Sequence, residues 1–349
     1  MIATIKPTDD EEVLEAINQA RARQSELELI GAGTKRDWGR PHVTGSILDL
    51  SGLTGVCGKK ASELTLFTAA ALLDLTALVG VVAYEPLELT VTARPGTRVA
   101  EVETMIAADG QYLAFEPPDF GPLLGKAAGR GTLGGVLACN LTGPSRIKAG
   151  LARDHFVAVK GVNGRGEIFG GGGFGGGGGC GGIVKDVSGL ELPKLMAGSF
   201  GTLAAFTELT IKVLPRPETE RTMIMVGLDD ATAVRAFTAV MRDPHNITGA
   251  AHLPFDLAAI SAVPEISAFG DAVTAIRVEG FSCAVASRSK RLCRELADYG
   301  GLVDFAPAAA RLFWREIANA HPFVCRRDRS VWRLTLLPAT AADTVATIR

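Results

Sequence analysis

Apolar residues recur at helical spacing after Thr8, where Val13, Leu14, Ile17 and Ala20 share one face and Thr8 or Asp9 stands ready to cap the start. The pattern predicts a first helix within Thr8 to Leu29. Leu27 to Gly31 reads as a short apolar strand running into Gly31-Ala32-Gly33-Thr34-Lys35, and Ser46 to Leu50 resumes strand character. Glu88 to Arg94 alternates like a strand, Pro95-Gly96 turns, and Val99 to Asp109 is amphipathic and helical before the Pro117-Pro118-Asp119 loop. Val157 to Val162 and Thr207 to Val213 are β-branched strands, with Leu192 to Ala197 between them as a short helix closed by Gly198. The first domain is expected to end near Pro217. Beyond it the pattern predicts strands over Thr222 to Leu228, Val273 to Phe281 and Val331 to Leu337, with helices over Ala231 to Met241 and Ser287 to Tyr299. The fold class is α+β, with a second, smaller α+β domain over 218–349.

Leu64 to Val82 is almost entirely apolar, with Asp74 its one charge, and approaches the length of a membrane-spanning helix. Its threonines, its central carboxylate and the lack of a Lys/Arg cluster on the far side favour a buried or interfacial helix instead.

A length of 349 residues suits two domains, and 47% hydrophobic with 21% charged residues is a globular composition. The formal net charge of -2 is spread without a basic stripe, so nucleic acid is not an expected partner. The opening MIATIKPTDDEE lacks a basic segment followed by an apolar one, and the protein is expected in the cytoplasm. The six cysteines, Cys57, Cys139, Cys180, Cys283, Cys293 and Cys325, form no C-x-x-C pair and read as reduced, mostly buried thiols. The five histidines, His42, His155, His245, His252 and His321, show no paired ligand spacing, so no metal is implied.

Glycine-rich turns carry the candidate chemistry. A loop without Cβ atoms lets consecutive N–H groups converge on a phosphate without a formal cation. One such stretch is Gly31-Ala32-Gly33-Thr34-Lys35, where Thr34 adds a hydroxyl; a plain tight hairpin could look the same. The other is Gly131-Thr132-Leu133-Gly134-Gly135, followed by Asn140, Gly143, Arg146 and Gly150, which could equally be a loop packed under a helix. Gly129, Gly131 and Gly134 match G-x-G-x-x-G, with Asp154 further on, but the residues before them form a Pro- and Gly-rich loop and not the buried strand that a Rossmann fingerprint requires. Gly121 to Ala127 has a lysine after glycine yet lacks the Walker A spacing and its Ser/Thr.

The order of these blocks resembles the FAD-binding domain of the vanillyl-alcohol oxidase and p-cresol methylhydroxylase (PCMH-type) group. They run GAGTKRDWGRP (Gly31 to Pro41), LAFEPPD (Leu113 to Asp119), GRGTLGGVLACNLTGPSRIKAGLARDHF (Gly129 to Phe156) and VKDVSGLELPKLMAGSFGTLAAFTELTIKVLPRPE (Val184 to Glu218). Within that group they look most like the FAD-binding E subunits of glycolate oxidase. The resemblance implies a two-subdomain FAD-binding domain over 1–217 and a cap domain over 218–349. It gives the pyrophosphate to Gly31, Ala32, Gly33, Thr34 and Lys35 and to Thr132, Leu133, Gly134 and Gly135. The ribityl and adenine ends fall to the loop of Pro117, Pro118 and Asp119 and to the segment of Gly198, Ser199, Phe200, Gly201, Thr202 and Leu203, with Asn140, Gly143 and Arg146 completing the candidate cofactor set. Covalent members carry a histidine where this chain has Thr34, so the FAD is expected to be noncovalent.

The resemblance further implies a subunit that oxidises a small 2-hydroxy acid, glycolate first, within a complex. Its partners would be a larger FAD-containing D-type subunit and an iron–sulfur F-type subunit, through which it could lie peripherally on the inner face of the membrane. The alternative is a noncatalytic flavin-binding assembly or electron-transfer subunit, or a degenerate homologue. A MurB-type reductase using NADPH would fit the loops but not the Gly129 to Glu218 blocks. No catalytic set is identified: Arg327, Arg329 and Arg333 are candidate carboxylate binders, but arginines beside Trp332 at a strand end are more often solvated or stacked. Three departures stand out. Residues 57–83 read as an insertion, either an extra apolar helix or a sequence artefact. Eleven of the thirteen residues from Gly170 to Gly182 are glycine, which predicts a flexible loop. The cap is expected to be incomplete at its C-terminal end.

Overall fold

The computed structural model describes residues 3–38, 71–172, 191–241, 246–324 and 330–348. The chain divides into two compact units: Met1–Val102, Gly129–Asn140 and Phe156–Lys212 form the first, and Glu103–Ala128, Leu141–His155 and Val213–Arg349 the second.

In chain order the elements are β1 (Ala3–Ile5), α1 (Asp10–Ala22), β2 (Leu27–Ile30), β3 (Ala71–Asp74), β4 (Val81–Glu85), β5 (Thr90–Ala93), α2 (Val99–Ala107), β6 (Gln111–Tyr112), α3 (Leu133–Ala138) and α4 (Arg146–Ala149). Next come β7 (Phe156–Asn163), β8 (Ile168–Gly171), α5 (Leu192–Met196), β9 (Ala204–Lys212), β10 (Leu214–Pro215), β11 (Thr219–Val226), α6 (Asp230–Met241) and β12 (Ile247–Leu253). The last are α7 (Phe255–Ala258), α8 (Pro264–Ser267), β13 (Val273–Gly280), α9 (Ser282–Glu295), β14 (Leu302–Phe305), α10 (Pro307–Ala318) and α11 (Pro338–Ile348).

The first unit holds two sheets. β1, β3 and β2 form a parallel sheet with β3 in the middle, and β4-β5-β9-β7-β8 form an antiparallel one. Helix α1 starts where Asp9 accepts from the Glu12 amide at 2.8 Å, while the Glu12 carboxylate accepts from the Thr8 amide at 2.7 Å. Its buried stripe, Val13, Ala16, Ile17 and Ala20, has the i, i+3, i+4, i+7 spacing that packs one helical face. That stripe shares a core with Leu73, Leu75 and Leu78 and with Val162 and Ala205 of the antiparallel sheet. Asp10 ties the helix to the same sheet through Arg94, at 2.5 Å, and Lys160.

Here the structure corrects the reading of the apolar run. Residues 71–82 do not form the expected apolar helix: β3 ends at Asp74, whose carboxylate accepts from the Thr76 amide at 3.0 Å and hydroxyl at 2.7 Å and so caps a single 3-10 turn over Leu75–Ala77, and Gly80 at φ +111 leads into β4. Residues 71–83, expected within an insertion, supply the central strand of a sheet; a strand flanked by parallel partners is apolar throughout and reads like a buried helix. Residues 57–70, and the strand expected at Ser46 to Leu50, lie outside the described residues. Gly170 and Gly171, expected in a flexible loop, pair with Lys160 and Val159 at the end of β8; 173–182 lie outside the description.

In the second unit the antiparallel sheet β12-β13-β11-β14 is buried on both faces, one core centred on Ile224, Phe305, Phe313 and Trp314 and the other on Met223, Ile276, Val285 and Leu292. Helix α9 begins at Ser282, ahead of the expected start, and buries Val285, Ser289 and Leu292. Cys283 and Cys293 fall outside that stripe and are exposed free thiols, against the expectation of burial. Val331 to Leu337 is not a strand. It is exposed chain leading into α11, because a period-2 pattern yields a strand only where a partner completes its ladder.

The polar centre of this unit is Arg277 on β13, 3% exposed. Its guanidinium meets Glu116 at 2.8 Å, donates to Ser145 Oγ at 2.6 Å and lies 4.8 Å from the Trp314 ring centroid. Burial pushes the Glu279 and Glu220 carboxyls above their usual range, partly offset by Arg277. Burial, with Glu279 and Glu116 nearby, pushes Tyr112 up to about 12.

Candidate functional site

A cavity of about 550 Å³ opens in the first unit, lined by the β2 end and the turn after it (Glu26 to Arg36, and Trp38) and by the start of α3. The turn is built by its glycines. Gly31 faces Thr132, whose Oγ1 would stand 2.9 Å from a Cβ there, and Gly33 takes φ +66, a left-handed backbone that costs a side-chain-bearing residue. Among the described residues no oxygen accepts from the amides of Ala32, Gly33 or Thr34. Thr34 is 4% exposed, and the Lys35 ammonium stands 3.4 Å from its hydroxyl.

The opposite wall is differently made. Thr132 caps α3 by accepting from the Gly135 amide at 3.2 Å, the Leu133 amide donates to Thr97 O at 2.8 Å, and the Gly134 amide donates to Pro95 O at 2.9 Å. The helix start has therefore spent these donors, and its glycines contribute proximity. A Cβ at Gly134 would stand 2.7 Å from Pro95 Cβ, whereas one at Gly135 would stand 3.2 Å from Thr132 Oγ1 and 3.3 Å from Lys35 Nζ, on the cavity side. The end of α3 is held by Gly198 and Phe200, whose amides donate to Leu137 O at 3.1 Å and Ala138 O at 2.9 Å. Cys139 also lines the cavity. Burial pushes its thiol up to about 11 despite the Lys35 charge, so it stays protonated at neutral pH.

Of the residues expected at a cofactor, Gly31, Ala32, Gly33, Thr34, Lys35, Thr132, Gly134, Gly135, Gly201 and Thr202 line this one cavity. Leu133 points into the core at 0% exposure, and Asn140, Gly198, Ser199 and Leu203 stand near in sequence but do not line it. Ser199 Oγ is buried with no hydrogen-bond partner among the described residues. Pro117, Pro118, Asp119, Gly143 and Arg146 belong to the second unit. There the Asp119 amide donates to Asn319 Oδ1 at 2.8 Å, and a Cβ at Gly143 would stand 2.5 Å from Glu116 O. Phe200, inside the segment from Gly198 to Leu203 that the resemblance gave to the cofactor, lines the cavity as well; Trp38, Pro95, Cys139 and Phe206 also line it and were not singled out in the sequence, since none sits in a glycine block as a polar donor. Arg327, Arg329, His42 and His245 lie outside the described residues, and Arg333 lies in the exposed segment. His252 bridges Asp230 at 3.1 Å and Thr274 at 2.8 Å, and His155 meets Ala149 O at 2.9 Å. Among the described residues no three His, Cys, Asp or Glu side chains are grouped to hold a metal ion, and no helix is long and apolar enough to cross a membrane.

This geometry suits a ligand with an anionic linker, which the loop amides and Lys35 would neutralise, and an apolar planar body. Residues 57–171 match the model of the FAD binding domain family. Glycolate oxidase subunit GlcE of Escherichia coli (strain K12) is 33% identical over 205 residues, 59% of this chain and 47% of that protein. Glycolate oxidase subunit GlcD of Bacillus subtilis (strain 168) is 29% identical over 194 residues, 56% of this chain and 34% of that protein. The D-lactate dehydrogenase of Anaerostipes hadrus is 36% identical over 128 residues, 36% of this chain and 24% of that protein. The chain spans about half the length, or less, of these curated relatives. Among solved structures, p-cresol methylhydroxylase with substrate bound superposes with a TM-score of 0.65 at 14% identity, covering 94% of this chain and 64% of that one. Alkyldihydroxyacetonephosphate synthase gives 0.64 at 17% identity, covering 92% and 54%. At such identities these two establish the fold alone: a mixed α/β, PCMH-type FAD-binding fold.

Proposed function

We propose, on the premise that this chain carries an FAD-binding domain, that it is the flavin-bearing E-type subunit of an enzyme complex oxidising a small 2-hydroxy acid, with glycolate the first candidate and glyoxylate the product. The observation that carries the reading is the cavity itself, in which a glycine turn whose Ala32, Gly33 and Thr34 amides have no acceptor among the described residues faces a close-packed helix start. Bound FAD supplies the two-electron acceptor that such an oxidation needs. The chain's own residues do the holding. Ala32, Gly33 and Thr34 offer N–H groups to the pyrophosphate, Lys35 adds a positive charge beside them, and Gly135 leaves room for close approach. The protonated Cys139 and buried Thr34 offer no nucleophile to the ring, which supports noncovalent binding.

The names of two relatives, each a glycolate oxidase subunit, support a multi-subunit setting. The expected partners are a larger FAD-containing D-type subunit and an iron–sulfur F-type subunit that takes the electrons onward. The test is the visible spectrum of the purified chain, alone and with those partners, before and after glycolate, D-lactate or 2-hydroxyglutarate. Flavin bands that bleach with one of these acids support the reading and name the substrate. Flavin bands that none of them bleaches, with or without partners, would leave an assembly or electron-transfer subunit, and absence of flavin would refute the cofactor assignment.

A further inference from the structure

The rim of the cavity carries a feature that phosphate binding does not explain. Phe200 holds a left-handed backbone, φ +53, uncommon for a bulky side chain, between Gly198 at φ +83 and Gly201 at φ +75. The bond from its amide to Ala138 O fixes it there, and the residue is 56% exposed. Across from it is Trp38, three residues beyond Lys35, with ring centroids 5.9 Å apart and planes at 81°. Both rings line the cavity. Backbone strain that presents an apolar ring to solvent does nothing for the core, so it serves a ligand or nothing.

We infer that Trp38 and Phe200 form an aromatic clamp for one planar ring system of FAD, the adenine or the isoalloxazine, while the glycine turn holds the pyrophosphate. The inference rests on the flavin reading of the same cavity and adds Trp38 and the pairing of its ring with that of Phe200. An edge-to-face pair closes on itself when empty, and a flat heterocycle that rotates one ring out of that arrangement exchanges a weak contact for a stacked one. Stacking a base on an aromatic side chain is worth a change in affinity of about fivefold to a hundredfold on removal of the ring.

The experiment uses the full chain stripped of flavin and measures dissociation constants for FAD, ADP and FMN, together with the urea midpoint of each apoprotein. The variants are Phe200→Gly, Trp38→Leu and the conservative Phe200→Tyr. Phe200→Gly releases the backbone strain, so its apoprotein should be as stable as the wild type or more so, while FAD binds about fivefold to a hundredfold more weakly. Phe200→Tyr should restore the affinity. The same loss seen with ADP assigns the clamp to adenine, and seen with FMN, to the isoalloxazine. FAD binding within twofold of wild type in both Phe200→Gly and Trp38→Leu would overturn the clamp while leaving the flavin reading intact. Failure of the wild-type apoprotein to take up FAD would overturn both.

Discussion

Gly134 and Gly135 are neighbours in one helix, yet the structure assigns them opposite consequences on substitution. In Gly134→Ala the new Cβ meets Pro95 Cβ at 2.7 Å, Pro95 O at 2.9 Å and Pro95 Cα at 3.1 Å, so backbone must move. Overpacking of that kind costs about 1–3 kcal/mol, against a helix-propensity gain of about 1 kcal/mol, leaving a net loss of up to about 2 kcal/mol. In Gly135→Ala the Cβ meets only the Thr132 hydroxyl at 3.2 Å and the movable tip of Lys35 at 3.3 Å. The propensity gain of about 1 kcal/mol then survives, and the apoprotein should be as stable as wild type or slightly more so. The methyl group nonetheless enters the cavity beside Lys35, and a ligand pressed against that wall loses about 1–3 kcal/mol, or roughly fivefold to a hundredfold in affinity. Urea midpoints of the two apoproteins and FAD titrations followed by flavin fluorescence separate the effects. If Gly135→Ala loses as much stability as Gly134→Ala and keeps wild-type FAD affinity, the assignment of this wall to the cofactor is wrong.

Removing the hydroxyl cap with Thr132→Val should cost about 1–2 kcal/mol while Thr132→Ser keeps most of it, checked by thermal unfolding of both. Arg277→Met leaves Glu116 and Glu279 without their buried cation and should cost about 3–5 kcal/mol; adding Glu116→Gln should recover part of that, and full additivity in the double-mutant cycle would contradict the pairing. Burial works against the charge on Asp10, but hydrogen bonds from Lys160 and Arg94, with their charges, outweigh it and hold the carboxyl below its usual range. The unfolded chain therefore binds the proton more readily. The stabilisation from Asp10 is complete above the unfolded carboxylate value of about 3.9 and is lost as pH falls through the lower folded one. Asp10→Asn should be less stable than wild type at neutral pH, and the gap should close as urea midpoints are followed down to about pH 2; a gap independent of pH would refute the ion-pair account.

The sequence by itself determined what depends on near neighbours. Asp9 and Glu12 cap α1, the stripe from Val13 to Ala20 packs it, and the turn after β2 follows from Gly31 and Gly33, since each rests on spacing or on φ values that few residues tolerate. The glycine blocks likewise announced both walls of the cavity. What they could not announce was the division of labour. The amides of Leu133, Gly134 and Gly135 are occupied by Thr97, Pro95 and Thr132, two of these acceptors more than thirty residues away in the chain, and only the folded neighbourhood shows it. The same holds for Trp38 and Phe200, isolated aromatics whose meeting depends on how the segment after α5 caps α3.

Strand against helix was also decided tertiarily where the local signal was ambiguous. Ala71 to Asp74 is apolar enough for either, and β1 and β2 on its two sides make it a strand. Val331 to Leu337 has strand-like residues and remains exposed chain. Periodicity states which faces a segment could bury; hydrogen-bonding partners distant in sequence determine whether it does.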